Sequence, residues 1–423
     1  MYMPRFLDLF AGAGGLSEGF LRAGYEAVAH VEMDVAACYT LKTRMAYHWL
    51  CEHNQLDIYG QYVNRKITRN QFYDHIPQSI LGSVLNYEIS TETLSAIFEE
   101  IDALVGDEPL DLIIGGPPCQ AYSIAGRSRS ETRMVGDKRN YLYKYYAEFL
   151  RRYRPRYFVF ENVLGLLSAK DEDGTFHFDN MRALFRKCGY STEFRPLNAS
   201  NYGVLQNRKR IILIGVRGKY EGFYPKIPVV KNRYLVNEVF GDLPAIAAGE
   251  GTTEPVPTAH YDGESLYESG IKEYDTELVT FHQARPHTEQ DLEIYRIVVD
   301  TWNRTGTRLS YMDLPENLRT HQNTASFLDR FKVVAGNLPC AQTIVAHIAR
   351  DGHYFIHPDI EQNRSITPRE AARIQTFPDN YYFESKKGVP SRTLAFKQIG
   401  NAVPVCLAYH VAMALIHRFD EQN

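Results

Sequence analysis

The chain has 423 residues, 44% of them hydrophobic, and a formal net charge of −4. That length allows two or three domains and a sizeable core, and the near-neutral balance excludes a uniformly polybasic protein. Six cysteines with no CxxC pair argue against a zinc site and a secreted disulfide scaffold; with no signal peptide or apolar run of membrane-spanning length in view, a soluble, cytoplasmic protein with reduced thiols is expected.

In chain order, Arg5 to Ala11 reads as a buried strand, followed by a glycine-rich turn and the helical pattern LSEGFLRAG. Tyr25 to Glu32 and Leu110 to Gly116 read as further strands, and Asn140 to Tyr153 as a helix. Arg156 to Val163 and Arg210 to Arg217 complete the strand series. Strands alternating with helices predict an α/β fold with a doubly wound, mostly parallel sheet over residues 1–220. Residues 44–87 form a long polar and aromatic segment between strands, expected to be a helical insertion. Residues 221–393 are rich in Pro, Gly and Thr with weak periodicity, which predicts a second, smaller and irregular domain. Residues 394–423 read as a turn and an apolar helix returning to the first domain.

Ligands of doubly wound sheets bind beyond the carboxyl ends of the strands. At the first such end, DLFAGAGGLSEG sets Gly12, Gly14 and Gly15 between strand and helix, where a backbone without Cβ atoms can approach a ligand closely. Ser17 stands where the dinucleotide fingerprint would need its third glycine. Glu32, ending the second strand about twenty residues on, suits a ribose. An adenosine-bearing cofactor is expected, and the lack of a GKS or GKT sequence argues against NTP hydrolysis. Another strand ends in GGPPCQAYS, where Cys119 follows two prolines of fixed φ and is therefore placed rather than packed. A thiolate nucleophile needs cationic or hydrogen-bonding neighbours. Glu161 in ENV and the alternating Gln206, Arg208 and Arg210 of QNRKR, on one face by the period of two, could supply them. Such a set suits conjugate addition to an electron-poor ring. Basic residues cluster at Arg127, Arg129 and Arg133, at Arg151 to Arg156 and at Arg208 to Arg210, which permits a nucleic-acid face but equally describes a solvated surface.

With DLFAGAGGLSEGF, HVEMD, GGPPCQAYSIAGR, DKRNYLY, ENVLGLL, QNRKRIILIGVR, RSITPREAARIQTFP and QIGNAVP in this order, the chain resembles the DNA (cytosine-5) methyltransferase family over nearly its whole length. The resemblance implies a Rossmann-like domain that binds S-adenosyl-L-methionine, a smaller target-recognition domain, and no metal. It implies that Phe10 stacks on adenine, that Gly12, Ala13 and Gly14 border the methionine moiety, and that Glu32 holds the ribose. Met33 stands where many relatives carry tryptophan against the adenine. Glu88 and Ile89 match the acidic-aliphatic pair for the adenine amino group, and Leu142, Asn401 and Ala402 match further cofactor-lining positions. Cys119 would add to carbon 6 of cytosine, Glu161 would bind N3 and the exocyclic amine, and Arg208 or Arg210 would bind the O2 side. Gln120, Ser123, Arg127 and Gln206 are expected at the DNA. A buried base cannot be reached in the stack, so the resemblance also implies base flipping.

Three other readings compete. A transfer-RNA cytosine-5 methyltransferase shares these motifs, but PCQAYS and the long recognition region favour double-stranded DNA. A catalytically inactive DNA-binding relative is disfavoured by the intact Cys119, Glu161, Arg208 and Arg210. A dehydrogenase is disfavoured by Ser17 and the Pro-Pro-Cys turn. The expected setting is a free-standing prokaryotic or phage-type enzyme, active as a monomer beside a restriction endonuclease or defence system. RSITPREAARIQTFP is expected to organise the second domain rather than to touch bases.

Overall fold

The computed structural model describes residues 2–118, 141–171, 173–230, 233–273, 278–321 and 328–420. Cys119, Gln120, Ser123, Arg127, Arg129 and Arg133 lie outside the described residues.

Seven strands form the central sheet: β1 (Arg5–Leu9), β2 (Glu26–Glu32), β3 (Val84–Asn86), β4 (Leu112–Gly115), β5 (Tyr157–Asn162), β6 (Tyr190–Asn198) and β7 (Lys209–Arg217). Their order is β3-β2-β1-β4-β5-β7-β6. All neighbouring pairs from β3 to β5 are parallel, while β7 runs antiparallel to both β5 and β6. The expected mostly parallel, doubly wound sheet is therefore present. Two strands go beyond the sequence reading: β6 was not anticipated, and β3 falls inside the stretch read as an insertion.

Alternation along each strand sends side chains to opposite faces. Leu7, Leu9, Ile113, Phe158, Phe160 and Leu213 pack with Tyr146, Phe149 and Phe185 on one face. Phe6, Leu112, Ile114, Val159, Ile212 and Ile214 pack on the other with Phe20, Leu407, Val411 and Leu415. Phe20 belongs to helix α1 (Gly15–Arg22), and the last three to the C-terminal helix Val405–Asp420. Taken as one helical stretch, Arg392–Phe419 is long and apolar enough by composition to cross a membrane, a correction to the sequence reading. Its most apolar window is 72% buried against the sheet layer, where core packing accounts for the same composition.

Helix α2 (Val35–Glu52) leaves the end of β2, capped by Asp34. It is followed by three short helices, α3 (Leu56–Val63), α4 (Arg69–Tyr73) and α5 (Gln78–Gly82). This segment is helical as expected, but its apolar side does not close on itself. Tyr62, Phe72, Ile76 and Leu81 share one core with Phe281, Phe377, Tyr382 and Phe383, and the same core continues through Ala395, Ile399 and Val405. The packing shows no break at residue 393. Around the helix Glu289–Thr305 a separate cluster forms from Tyr295, Val299, Tyr311, Phe331 and Ile356. Among the described residues, strands within 221–393 are two residues long, as in Gly251–Thr252 and His282–Gln283.

RSITPREAARIQTFP is buried almost throughout. Arg364 donates to both oxygens of Glu370, and Arg373 pairs with Asp242 and Asp379, every one of these side chains nearly or wholly inaccessible. Lys272 Nζ lies 2.7 Å from the same Asp242. Breaking one partner of such a buried network costs about 3–5 kcal/mol, because the other charge is left uncompensated.

Candidate active site

At the carboxyl end of β1 the backbone turns through left-handed conformations, with Phe10 at φ 58°, Gly12 at 57° and Gly14 at 82°. Gly14 caps α1, and a Cβ there would lie 2.7 Å from the Tyr381 hydroxyl and 2.8 Å from Leu41 Cδ2. A Cβ on Gly12 would meet nothing within 4 Å, so that side of the turn is open to a ligand. Tyr381 Oη donates to Ala13 O at 2.5 Å and holds the turn from the far side of the sequence. Left-handed backbone in a residue with a side chain costs of order 1–3 kcal/mol and persists where the surroundings over-determine it. Phe10 is such a residue, with its ring half-buried at the edge of the sheet core.

Glu32 ends β2 directly opposite. Its Oε2 accepts from Gly12 N at 2.8 Å and its Oε1 from Asp34 N at 2.7 Å. Burial raises the Glu32 pKa above the ordinary carboxylate range, and the two backbone donors offset only part of that. Asp34 behaves oppositely: burial opposes its ionisation, but Lys397 at 2.9 Å and the Ala36 and Ala37 amides hold its pKa down. Met33, between them, is exposed, as a contact for a flat ligand must be. Asn86 Nδ2 ties β3 to this end by donating to Glu32 O and Met33 O. Glu88 is exposed just beyond β3, whereas Ile89 is buried in the sheet core. Leu142 opens the helix Leu142–Tyr153 half-buried, Asn401 is exposed at the end of Arg392–Asn401, and Ala402 after it is buried. An open glycine turn facing a carboxylate of fixed orientation fits the adenosine and amino-acid ends of a nucleoside cofactor.

The second half of the edge lies at β4, β5 and β7. Glu161 Oε1 accepts the Arg210 Nε at 2.7 Å, both side chains largely shielded. Register explains the meeting: Glu161 faces Ile212 across the antiparallel β5–β7 pair, so Arg210 lies two residues along on the same face. A Cβ on Gly116 would fall 2.6 Å from Glu161 Oε2, so glycine here lets the carboxylate keep this position behind the Pro-Pro turn. Asn162 Nδ2 donates to Pro117 O at 3.2 Å and pins that turn to the end of β5. The placement of Cys119 is not described, but the turn that leads to it is thus fixed against Glu161.

The three residues read together from QNRKR divide. Arg208 is a correction: its guanidinium is 1% exposed and donates to Ile344 O at 2.6 Å, Gly400 O at 3.2 Å and Ala402 O at 2.8 Å. It therefore faces backbone carbonyls, not a base. Gln206 is a second correction: it is fully buried, its Nε2 donating to Ile374 O and Gln375 Oε1 while its Oε1 accepts from Ile344 N. A side chain with its amide so engaged makes no DNA contact. Arg210 alone reaches the site edge. Gly116, Asn162 and Tyr381 were missed by sequence reasoning. The first two lie inside the quoted motifs GGPPCQAYSIAGR and ENVLGLL, and Tyr381 gave no signal.

A doubly wound sheet with β7 reversed, a glycine turn and carboxylate at one half of its edge and a carboxylate–arginine pair at the other, is the frame of a cofactor-dependent methyltransferase. The chain belongs to the C-5 cytosine-specific DNA methylase family, whose model matches residues 4–76 and 86–417. It is 40% identical to the Type II methyltransferase M.Bpa9945I of Bacillus paralicheniformis, over 97% of this chain and 98% of that one. It is 30% identical to M.XorII of Xanthomonas oryzae pv. oryzae, over 96% and 83%. An Escherichia coli prophage-encoded chain described as a DNA modification methyltransferase shares the fold with a TM-score of 0.64, at 22% identity and 99% coverage of both chains. The chain is thus a DNA (cytosine-5) methyltransferase, and the covalent cysteine mechanism is that of its family.

Proposed function

We propose that Cys119 is the nucleophile, that Glu161 and Arg210 form the cytosine pocket, and that Phe10, Gly12, Ala13, Gly14, Glu32 and Met33 hold S-adenosyl-L-methionine, with Glu88, Ile89, Leu142, Asn401 and Ala402 around them. The observation that carries this reading is the Glu161–Arg210 pair beside the Gly116 gap at the Pro-Pro turn. When bound, S-adenosyl-L-methionine supplies an electrophilic methyl on a sulfonium sulfur. Addition of the Cys119 thiolate to carbon 6 of cytosine breaks the carbon 5–carbon 6 double bond and makes carbon 5 nucleophilic. Glu161 hydrogen-bonds N3 and the exocyclic amine, and Arg210 meets the charge on the O2 side, so both act where charge accumulates. Once carbon 5 carries its methyl, loss of its proton to a base restores the double bond and expels the thiolate. The cytosine must leave the stack to meet these groups, at a cost of a few kcal/mol.

The setting that goes with this reading is a restriction-modification or defence system in the cytoplasm of a bacterial or phage-infected cell. The enzyme acts as a monomer on double-stranded DNA, with Gln120, Ser123 and Arg127 on the substrate. Bisulfite sequencing of genomic DNA from a methylation-free host expressing the chain tests it, with Cys119→Ala alongside. Methylation confined to one short sequence and lost in the variant is the expected result. Methylation that survives Cys119→Ala would refute the nucleophile.

A further inference from the structure

Between the helical segment after α2 and the loop that follows Glu384 lies a cavity of about 490 Å³. Four cationic side chains, Arg65, Lys66, Arg69 and Lys387, line it, and no carboxylate does. Arg69 also lies 3.5 Å from the buried carboxylate of Glu384. The cations are also organised. Arg69 stacks 3.5 Å over the Tyr39 ring and donates to Ser385 O at 2.7 Å and Lys386 O at 3.1 Å. It thereby fastens the lysine-bearing loop to the helical segment. Arg65 is tied at 2.8 Å to Glu254. Lys66 and Lys387 are exposed, and among the described residues neither makes an ion pair.

The position of the cavity is set by Tyr39, in the second turn of α2, whose cap Asp34 follows Glu32 at the carboxyl edge of the sheet. Through Arg69 the pocket thus lies on the side of the sheet where β2 ends, rather than on the Glu161–Arg210 side. Strands are spaced by about 4.8 Å. The ends of β2 and β5, three spacings apart in the sheet, are therefore roughly 15 Å apart.

We propose that this pocket is a second DNA-backbone site, in which Lys66 and Lys387, backed by Arg65 and Arg69, take phosphodiester groups outside the sequence being methylated. The inference rests on the DNA methyltransferase reading and gives the segment between α2 and β3 a function: it lengthens the duplex the enzyme grips. Contacts of this kind position the protein and add affinity without reading sequence.

The test compares wild type with the Lys66→Gln/Lys387→Gln double variant by fluorescence anisotropy on a long duplex of about 40 base pairs. On the long duplex the variant should bind about tenfold more weakly, and its log K against log salt should be shallower by about 2, near one per lost phosphate contact. With DNA saturating, single-turnover methyl transfer by the two proteins should match. An unchanged salt slope and affinity on the long duplex would overturn the proposal. Pyrophosphate that raises the melting temperature of wild type but not of the variant, with DNA binding equal in both, would assign the pocket to a free phosphorylated ligand instead. Wild-type protein that neither binds nor methylates any duplex would overturn the DNA reading itself, a result separate from any difference between the two proteins.

Discussion

Glu161 and Arg210 meet at 2.7 Å because β5 and β7 run antiparallel and bring the end of one beside the start of the other. A parallel β7 would have put its first residues at the opposite edge of the sheet. The reversed strand therefore delivers an arginine to the same rim as a carboxylate from its neighbour, and each keeps the other in place for a substrate that needs both.

Gly116→Ala tests how tightly that rim is built. The new Cβ would sit 2.6 Å from Glu161 Oε2, so the carboxylate must move. A displacement near 1 Å in a catalytic group costs about 10²-fold in rate. Turnover should fall by that order with cofactor affinity unchanged, measured by single-turnover methyl transfer and calorimetric binding.

Arg208→Ala and Arg210→Ala should separate, although the two arginines are two residues apart. Loss of Arg208 strands three buried carbonyls and should cost about 3 kcal/mol or more of folding stability. Loss of Arg210, at the site edge, should lower the denaturation midpoint less than loss of Arg208 while lowering turnover by about 10²-fold, as removal of one charge-stabilising donor does. Denaturant melts together with methylation rates distinguish the two outcomes.

Phe10→Ala should weaken S-adenosyl-L-methionine binding before it affects anything else. Phe10→Gly relieves the left-handed backbone at φ 58° but removes the same ring. If the ring is the contact, both variants lose affinity, with the glycine variant the more stable of the two. Equal affinity to wild type in both would take Phe10 out of the cofactor site.

Stability should fall on acidification because of His357. Burial, with Arg364 adding to it, lowers its pKa from 6.5 to about 4, against the pull of Glu370. Between those values the unfolded chain binds a proton that the folded chain does not. Stability is therefore lost as pH drops through that interval, by up to about 1.4 kcal/mol per pH unit from this group. His287, also lowered to about 4 by burial, acts in the same direction. Urea denaturation across this range should show the slope, and His357→Asn should flatten it.

The sequence by itself determined the strands that fill the middle of the sheet, since Arg5–Leu9, Leu112–Gly115 and Tyr157–Asn162 are apolar runs buried on both faces. It also determined the identity of the chemistry, because the ordered motifs resemble one family, five of them at the ends of β1, β2, β4 and β5 and at the start of β7. It did not reveal β6, whose middle residues are half-exposed at the sheet edge and polar in sequence, nor β3, which at three residues has no period to read. The period of two read Gln206, Arg208 and Arg210 together but could not say what each of them meets. Tertiary structure decided that Ile344, Gly400 and Ala402, remote in sequence, close over Arg208 and leave only Arg210 for the site. It also decided the basic pocket, where Arg69 reaches the carbonyl of Lys386, 317 residues on in the chain, beside the lining Lys387. Local patterning encodes which way a side chain points. What it meets there depends on segments that arrive only when the core closes.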